Sequence, residues 1–213
     1  FNGLTDRDYT VYFETMPADR LDTTLLIESE RMANAAFNPN EFESERSVVI
    51  SEREGAENEP EFYLEEELFA LAFLVHPYHW SPIGWKQDLK SMTRDVLYDF
   101  YKERYGPNNA TLLLTGRFNA DEALRKVSKY FSPIKPVKDV KDPGILEPAQ
   151  SGERRSTIER TGTADYIKIG YHIPQATHDD IKPLLILDAV LSGGKSLGAR
   201  AAVPGEAMGR SSR

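Results

Sequence analysis

The stretch that decides how this chain is interpreted is Glu45-Arg46-Ser47-Val48-Val49-Ile50-Ser51-Glu52. It lies inside a predicted helix that starts at Asn40, just after a proline, and ends near Asn58. Glu45 and Glu52 are seven residues apart. Seven residues make about two helical turns, so both carboxylates are expected on one face of the helix.

Two explanations account for this pair of carboxylates. One carboxylate could bind a metal ion while the other supports it from just outside the metal's ligands. The other explanation is a solvated acidic helix face with Arg46 and Arg53 as local partners. On spacing alone, this second explanation is the favoured one, but spacing does not exclude the metal site.

Helical periodicity continues on both sides of this stretch. Apolar residues recur at helical spacing over residues 19–36, 60–74, 93–104 and 120–131, and each segment is predicted to be a helix. A last helix is predicted over about 179–191, ended by a pair of glycines.

Strands are predicted at four places between these helices. Residues 8–16 alternate between apolar and polar side chains, which is typical of a half-buried strand, and residues 110–116 are typical of a buried one. Residues 156–160 and 165–173 are predicted to form a strand pair. Residues 132–154 contain four prolines and are predicted to be an extended linker. This order predicts an α+β architecture with a second α+β unit begun but not completed.

Composition and charge exclude several classes of function. The chain has 213 residues, 40% hydrophobic and 28% charged, which is ordinary for a globular protein. It has no cysteine, so disulfides and thiolate metal sites are excluded. The net charge of -8 argues against a nucleic-acid partner. No apolar stretch approaches the roughly 20 residues of a membrane span, and no signal peptide is visible in a chain that opens with Phe1.

A second candidate metal site consists of His76 and His79, which could bind zinc if a helix or a tight turn presented both. The prolines around them predict a loop instead, and no acidic third ligand follows closely. Structural imidazoles that pack near Tyr78 and Trp80 are therefore favoured.

Two other patterns carry no function. Gly193-Gly194-Lys195-Ser196 is similar to the end of a phosphate-binding loop, but Ala189 stands where the full motif has glycine, and a helix precedes it rather than a strand. No serine stands in a Gly-x-Ser-x-Gly elbow, and there is no cysteine, so a nucleophilic triad has no support.

A series of short motifs runs through residues 1 to about 194. In chain order they are Asn2-Gly3-Leu4-Thr5, Asp8-Tyr9-Thr10-Val11-Tyr12, Glu45-Arg46-Ser47-Val48-Val49-x-x-Glu52, His76-Pro77-Tyr78, Tyr105-Gly106-Pro107-Asn108-Asn109-Ala110 and Gly170-Tyr171-His172-Ile173-Pro174. As an ordered set they resemble the pitrilysin/insulinase-type zinc metallopeptidases, a group with mitochondrial-processing-peptidase-like members. No single motif would suffice, but their order is specific.

The resemblance implies roles for four residues. In this family two histidines of an inverted His-x-x-Glu-His motif bind zinc, the glutamate between them activates water, and a distal glutamate completes the site. Glu52 is implied as that zinc ligand, with Glu45 as a carboxylate just outside the zinc ligands. Asn2 and Gly3 are implied to lie on the edge strand that pairs with the substrate backbone. No catalytic residue is expected in this chain, because His-x-x-Glu-His does not occur in it and is expected upstream of Phe1.

The resemblance also implies a fold. It is a mixed, largely antiparallel sheet with helices packed on one side, a LuxS/metallohydrolase-like roll, followed by the start of a second similar unit. Residues 1–131 would be the C-terminal part of the first peptidase domain, 132–154 a Pro-rich linker, and 155–213 the incomplete beginning of a second, homologous domain. Three features depart from the family pattern: Gly3 stands where alanine is usual, Leu4 stands where a smaller residue is common, and residues 195–209 look like an insertion.

The implied function is that of a fragment of a zinc-dependent endopeptidase that hydrolyses peptides or unfolded segments. Zinc would be the cofactor of the parent protein, whereas this chain is expected to bind none and to be inactive, because one carboxylate cannot hold zinc at useful affinity. The alternative is a non-catalytic homologue that acts as a peptide-binding or assembly subunit on the same fold. The expected partner is a peptide or polypeptide, not a nucleic acid or a membrane. Dimerisation and a bacterial cytoplasmic or periplasmic location stay open.

Overall fold

The computed structural model describes residues 2–138, 140, 144–162 and 164–192, and within them the chain is built mainly from helices. The helices are α1 Leu21–Asn34, α2 Pro39–Ala56, α3 Pro60–Ala72, α4 Lys86–Ser91, α5 Arg94–Arg104, α6 Ala120–Phe131 and α7 Ile181–Ser192. Three 3₁₀ turns, Ala18–Arg20, Pro77–His79 and Pro107–Asn109, complete the helical elements. None of the described helices is long and apolar enough to cross a membrane.

One antiparallel sheet of two strands is described, β1 Asn2–Thr5 and β2 Thr10–Phe13. The strands pair in the register Asn2↔Phe13, Gly3↔Tyr12, Leu4↔Val11 and Thr5↔Thr10. Helices together with an antiparallel sheet agree with the α+β class. The predicted strand over 8–16 is shorter than expected, and it is exposed along its length rather than half-buried.

The helix predictions are confirmed, with ends within a few residues of those expected. Their apolar residues repeat with a helical period, and the local signals match: Thr93 caps α5 by accepting from the N–H of Val96, and Asn119 caps α6 in the same way. Helix α4 is missed, because six residues are too few to show a repeat. The glycines predicted to end α7, and the predicted insertion at 195–209, lie outside the described residues.

Three strand predictions are wrong. Residues 110–116, 156–160 and 165–173 form no ladder with any described segment. A strand exists only when a neighbouring segment accepts and donates its backbone hydrogen bonds. An apolar run shows that a segment suits a sheet, but it does not supply the neighbour, and Leu113 is accordingly 81% exposed.

Contacts divide the chain into two units, residues 1–58 with 81–146 and residues 59–80 with 147–213. The core of the first unit consists of buried residues from five elements, Leu25, Phe42, Leu89, Tyr101 and Ala123. In this unit α1 packs on α6 and α2 packs on α4. The α1–α6 contact carries a polar cluster, in which Lys126 lies 2.7 Å from Asp22 and Tyr130 donates to the same carboxylate.

The second unit is held by contacts to the end of α3. The carboxylate of Glu147 accepts hydrogen bonds from the consecutive backbone N–H groups of Leu74, Val75 and His76 at 2.7, 3.0 and 3.0 Å. Arg154 donates to the last carbonyls of the helix, those of Leu71 and Ala72. Arg154 therefore satisfies carbonyls that the helix leaves unpaired at its C-terminal end, and Glu147 satisfies N–H groups of the segment that follows the helix.

Candidate functional site

The candidate metal-binding carboxylates lie on α2, and the start of this helix is fixed by local sequence. Pro39 occupies the first helical position, where a missing N–H costs nothing, and the side chain of Asn38 accepts from the N–H of Asn40 at 2.9 Å. The helix therefore starts one residue before the predicted Asn40. From that point its 18 residues continue without a break to Ala56.

Helix α2 has two different faces. Phe42 and Arg53 are buried on one of them. Glu45 and Glu52 are both exposed on the other, as their spacing predicts. Glu52 borders a shallow, open depression that is lined by Ser44, Ser47, Val48 and Ser51 from the same helix. Within the described residues this carboxylate therefore faces solvent and has free space in front of it.

The buried face of α2 is fixed by two arginines, each of which directly follows a candidate glutamate. Arg53 donates through Nη1 to the carbonyl of Gly84 and through Nε to Glu57, both at 2.9 Å. Arg46 donates through Nη1 to the carbonyls of Lys90 and Met92 at 2.9 and 3.2 Å. The predicted local pairing with acidic neighbours is confirmed for both arginines, since Arg46 pairs with Glu43 and Arg53 with Glu57. The sequence does not predict the backbone contacts of either arginine.

Glu54, the residue after Arg53, is held by a lysine. Lys86 lies 2.5 Å from Glu54, and this hydrogen bond and the lysine charge hold the pKa of Glu54 below its usual value. Glu54 is thus committed to an ion pair with the start of α4. It is not a competing candidate for the metal.

The predicted substrate-binding residues lie on β1. Asn2 and Gly3 are exposed, and Asn2 accepts a hydrogen bond from the N–H of Gly3 at 2.8 Å. Among the described segments β1 pairs with β2 alone, so its other edge is open to a further strand. A Cβ atom at position 3 would lie 3.2 Å from the ring of Tyr12, which explains why glycine suits this position.

The histidine pair of the second candidate site is engaged in other contacts. His79 Nδ1 lies 2.7 Å from the carbonyl oxygen of Phe73, and His76 Nδ1 accepts from the N–H of Tyr78 at 3.3 Å. The ring of His76 packs edge-on against Tyr78, and that of His79 against Trp80. The predicted structural role is confirmed. In the part of the chain that the structure describes, no three His, Asp or Glu side chains are grouped to hold a metal ion.

Comparison with protein families gives two matches that together cover most of the chain. Residues 1–82 match the model described as insulinase, peptidase family M16, and residues 91–207 match the model described as peptidase M16 inactive domain. The chain belongs to peptidase family M16, the pitrilysin/insulinase family of zinc metallopeptidases.

Individual relatives agree with this assignment. The chain is 32% identical to the zinc protease PqqE of Helicobacter pylori over 92% of its own length and 45% of the relative's. A crystal structure of a protease from Helicobacter pylori matches 69% of the chain and 36% of that protein, with a TM-score of 0.66 and 33% identity. The ferredoxin protease FusC, solved in complex with Arabidopsis ferredoxin, shares the fold, with a TM-score of 0.63 and 24% identity over 69% of this chain and 16% of that one. The chain thus spans less than half the length of these relatives.

Proposed function

We propose that this chain is part of a zinc endopeptidase that hydrolyses peptides or unfolded segments, and that Glu52 is its distal zinc ligand. The observation that carries the proposal is the position of Glu52, whose carboxylate is exposed and points about 100° away from the buried Arg53 that anchors the helix. Relatives named zinc proteases support zinc as the metal. A polypeptide substrate is supported by the ferredoxin bound to FusC.

The residues present fit a zinc site in part. A carboxylate oxygen is a suitable zinc ligand, and Glu52 has open space in front of it. A catalytic zinc needs three protein ligands, so the other two must be imidazoles outside the described residues, from a His-x-x-Glu-His motif. The chain by itself is therefore proposed to be inactive.

Each candidate residue has a separate task in this proposal. Zinc, when bound, polarises the scissile carbonyl and lowers the pKa of its water. Glu52 holds the metal, and Glu45, two turns earlier on the same face, orients the groups around it. Asn2 and Gly3 offer backbone N–H and C=O groups on the open edge of β1, where an extended peptide adds as a strand.

We further infer that the β1–β2 pair is one end of a larger, largely antiparallel sheet with helices on one side, the LuxS/metallohydrolase-like roll. The exposed apolar side chains of β2, Val11 and Phe13 among them, suit a sheet that is covered in the complete protein. The domain limits proposed from the sequence, 1–131 and 155–213 with a linker at 132–154, belong to the same inference.

The second candidate function is that of a non-catalytic homologue, which would act as a peptide-binding or assembly subunit. The match of residues 91–207 to a domain described as inactive favours it. Glu45 and Glu52 lie instead within the residues that match the insulinase model, and a subunit without chemistry has no need of either carboxylate. The peptidase is therefore the function we prefer.

Peptide cleavage by the full-length protein separates the two functions. The peptidase proposal expects an unstructured fluorogenic peptide to be cleaved, cleavage to stop after a zinc chelator is added, and zinc to restore it. The 213-residue chain, assayed in parallel, should be inactive. Cleavage that survives chelation, or no cleavage by a zinc-loaded full-length protein across varied peptides, would rule out the zinc endopeptidase.

A further inference from the structure

Each candidate glutamate on α2 is followed by an arginine that attaches the helix to the segment around α4. Glu45 precedes Arg46, and Glu52 precedes Arg53, so the arginines are also seven residues apart. We propose that Arg46 and Arg53 are positioning residues for the zinc site, which set the rotation of α2 and thereby the direction of Glu52. This inference rests on the proposed role of Glu52 as a zinc ligand.

Arg53 supplies the first attachment. Its side chain is 3% exposed, and it reaches across to the carbonyl of Gly84, just before α4 begins. Glu57, directly after the last residue of α2, accepts from its Nε and balances the buried charge. The ring of Trp85 lies 5.7 Å from the guanidinium carbon. A buried arginine with these partners can shift little without leaving a charge or a carbonyl unpaired.

Arg46 supplies the second attachment, at the other end of α4. Its guanidinium donates to the carbonyls of Lys90 and Met92, at the C-terminal end of that short helix. A cation is favourable there, because the last carbonyls of a helix are unpaired and carry partial negative charge. Glu43 pairs with the same guanidinium from within α2. The two arginines therefore bind the two ends of α4.

Two attachments fix the orientation of α2 more completely than one attachment would. A single contact would let α2 pivot, whereas contacts about 10 Å apart along its axis define both its tilt and its rotation. A carboxylate about 5–6 Å from the helix axis moves by about 1 Å when the helix turns by about 10°. Metal ligands must be held to within about 0.5 Å, so a small rotation of α2 would be felt by zinc.

Lysine cannot replace arginine in this task. The guanidinium of Arg53 donates to Gly84 from Nη1 and to Glu57 from Nε. That of Arg46 donates to Lys90 and Met92 from Nη1 and pairs with Glu43 through Nη2, so each arginine uses two nitrogens held in one plane. A lysine ammonium keeps the charge but holds it on a flexible stem without that fork. An arginine-to-lysine change therefore tests orientation with the charge preserved.

The experiment uses the full-length protein, with zinc affinity measured by competition against a chelating dye and folding measured by thermal unfolding. Arg53→Lys is expected to weaken zinc binding about 10-fold, at the lower end of the effect of groups that support metal ligands. Arg154→Lys is the matched control, because Arg154 also donates to two helix-end carbonyls but lies in the other unit. It should lower the unfolding temperature and leave zinc affinity unchanged.

Arg46→Lys carries the test if Arg53→Lys does not fold, since the side chain of Arg46 is 26% exposed and its loss is better tolerated. A several-fold loss of zinc affinity beyond that of the control supports the proposal. If the folded Arg53→Lys and Arg46→Lys variants keep their zinc affinity while Glu52→Gln loses zinc, the positioning role is overturned but the ligand assignment stands. Full zinc affinity in Glu52→Gln overturns the ligand assignment and this inference with it.

Discussion

Glu52 and Arg53 are adjacent in the chain, yet their side chains lie in opposite surroundings. Arg53 is 3% exposed and hydrogen-bonded to the carbonyl of Gly84, whereas Glu52 is exposed beside an open depression. Consecutive residues of a helix point about 100° apart, so one position can hold the helix while the next serves a ligand. This division of roles along α2 is the basis of the predictions that concern zinc.

Glu45 should matter less than Glu52 for activity. In the full-length protein we expect Glu45→Gln to lower kcat/KM roughly 10–100-fold, because a group that only orients a metal ligand has an effect of that size. Glu41→Gln, an exposed change in the first turn of α2, is the control and should have no effect. A loss in Glu45→Gln equal to or larger than that in Glu52→Gln would mean that the two roles are reversed.

Tyr101 should contribute to stability through its hydroxyl group. The buried hydroxyl donates to the carbonyl of Met32 at 2.7 Å, lies 3.1 Å from that of Arg31, and accepts from the N–H of Ala35 at 3.2 Å. Tyr101→Phe removes a partner from the end of α1, so we expect a loss of about 1–3 kcal/mol in the free energy of unfolding.

Urea denaturation measures this loss. Tyr98→Phe is the control, because its ring is half-buried on the same helix beside Tyr101. Equal unfolding free energies for the wild-type protein and Tyr101→Phe would show that these hydrogen bonds contribute nothing.

Glu147 should make the second unit sensitive to acid. Partial burial raises the pKa of Glu147, but three backbone N–H groups and the charge of Arg154 outweigh it and lower the pKa from 4.5 to about 2. A depressed pKa gives stability that is complete above the unfolded value near 4.5 and is lost as the pH falls toward 2.

Unfolding temperatures of the wild-type protein and Glu147→Gln between pH 2 and pH 7 test this point. The wild-type advantage should be full above about pH 5 and should shrink between pH 4.5 and 2. An advantage that stays constant over this range would exclude the ionised carboxylate as its source.

His79 should play no part in metal binding. Its Nδ1 is 2.7 Å from the carbonyl oxygen of Phe73, which fixes the ring as a structural group. We expect His79→Ala to leave the zinc stoichiometry of the full-length protein unchanged, as measured by metal analysis after dialysis. Loss of one zinc in this variant would restore the histidine pair as a candidate site.

The sequence predicts the helices and one face of α2 well, because both depend on local periodicity. The shared face of Glu45 and Glu52 follows from a spacing of seven residues, and the cap at Thr93 follows from residue type. The predictions of strands at 110–116 and 165–173 are wrong, because a strand needs a pairing partner and the periodicity of a segment does not show whether one is present.

The sequence does not predict the contacts by which Arg46 and Arg53 attach α2 to the segment around α4, and the reason is related. An arginine in an acidic helix suggests a surface ion pair, and only the position of Gly84 in space reveals that Arg53 is buried. The available signal was the position of Arg53 four residues after Val49 and eleven after Phe42, on the apolar stripe of the helix.

The zinc content of the Glu52→Gln full-length protein tests the central claim most directly. Glu54→Gln is the matched control, since Glu54 lies two residues away on the same helix and pairs with Lys86. After dialysis against a weak chelator, we expect one zinc per molecule in the wild-type protein and in Glu54→Gln, and nearly none in Glu52→Gln. Full zinc occupancy in Glu52→Gln would contradict the assignment of this glutamate as a ligand.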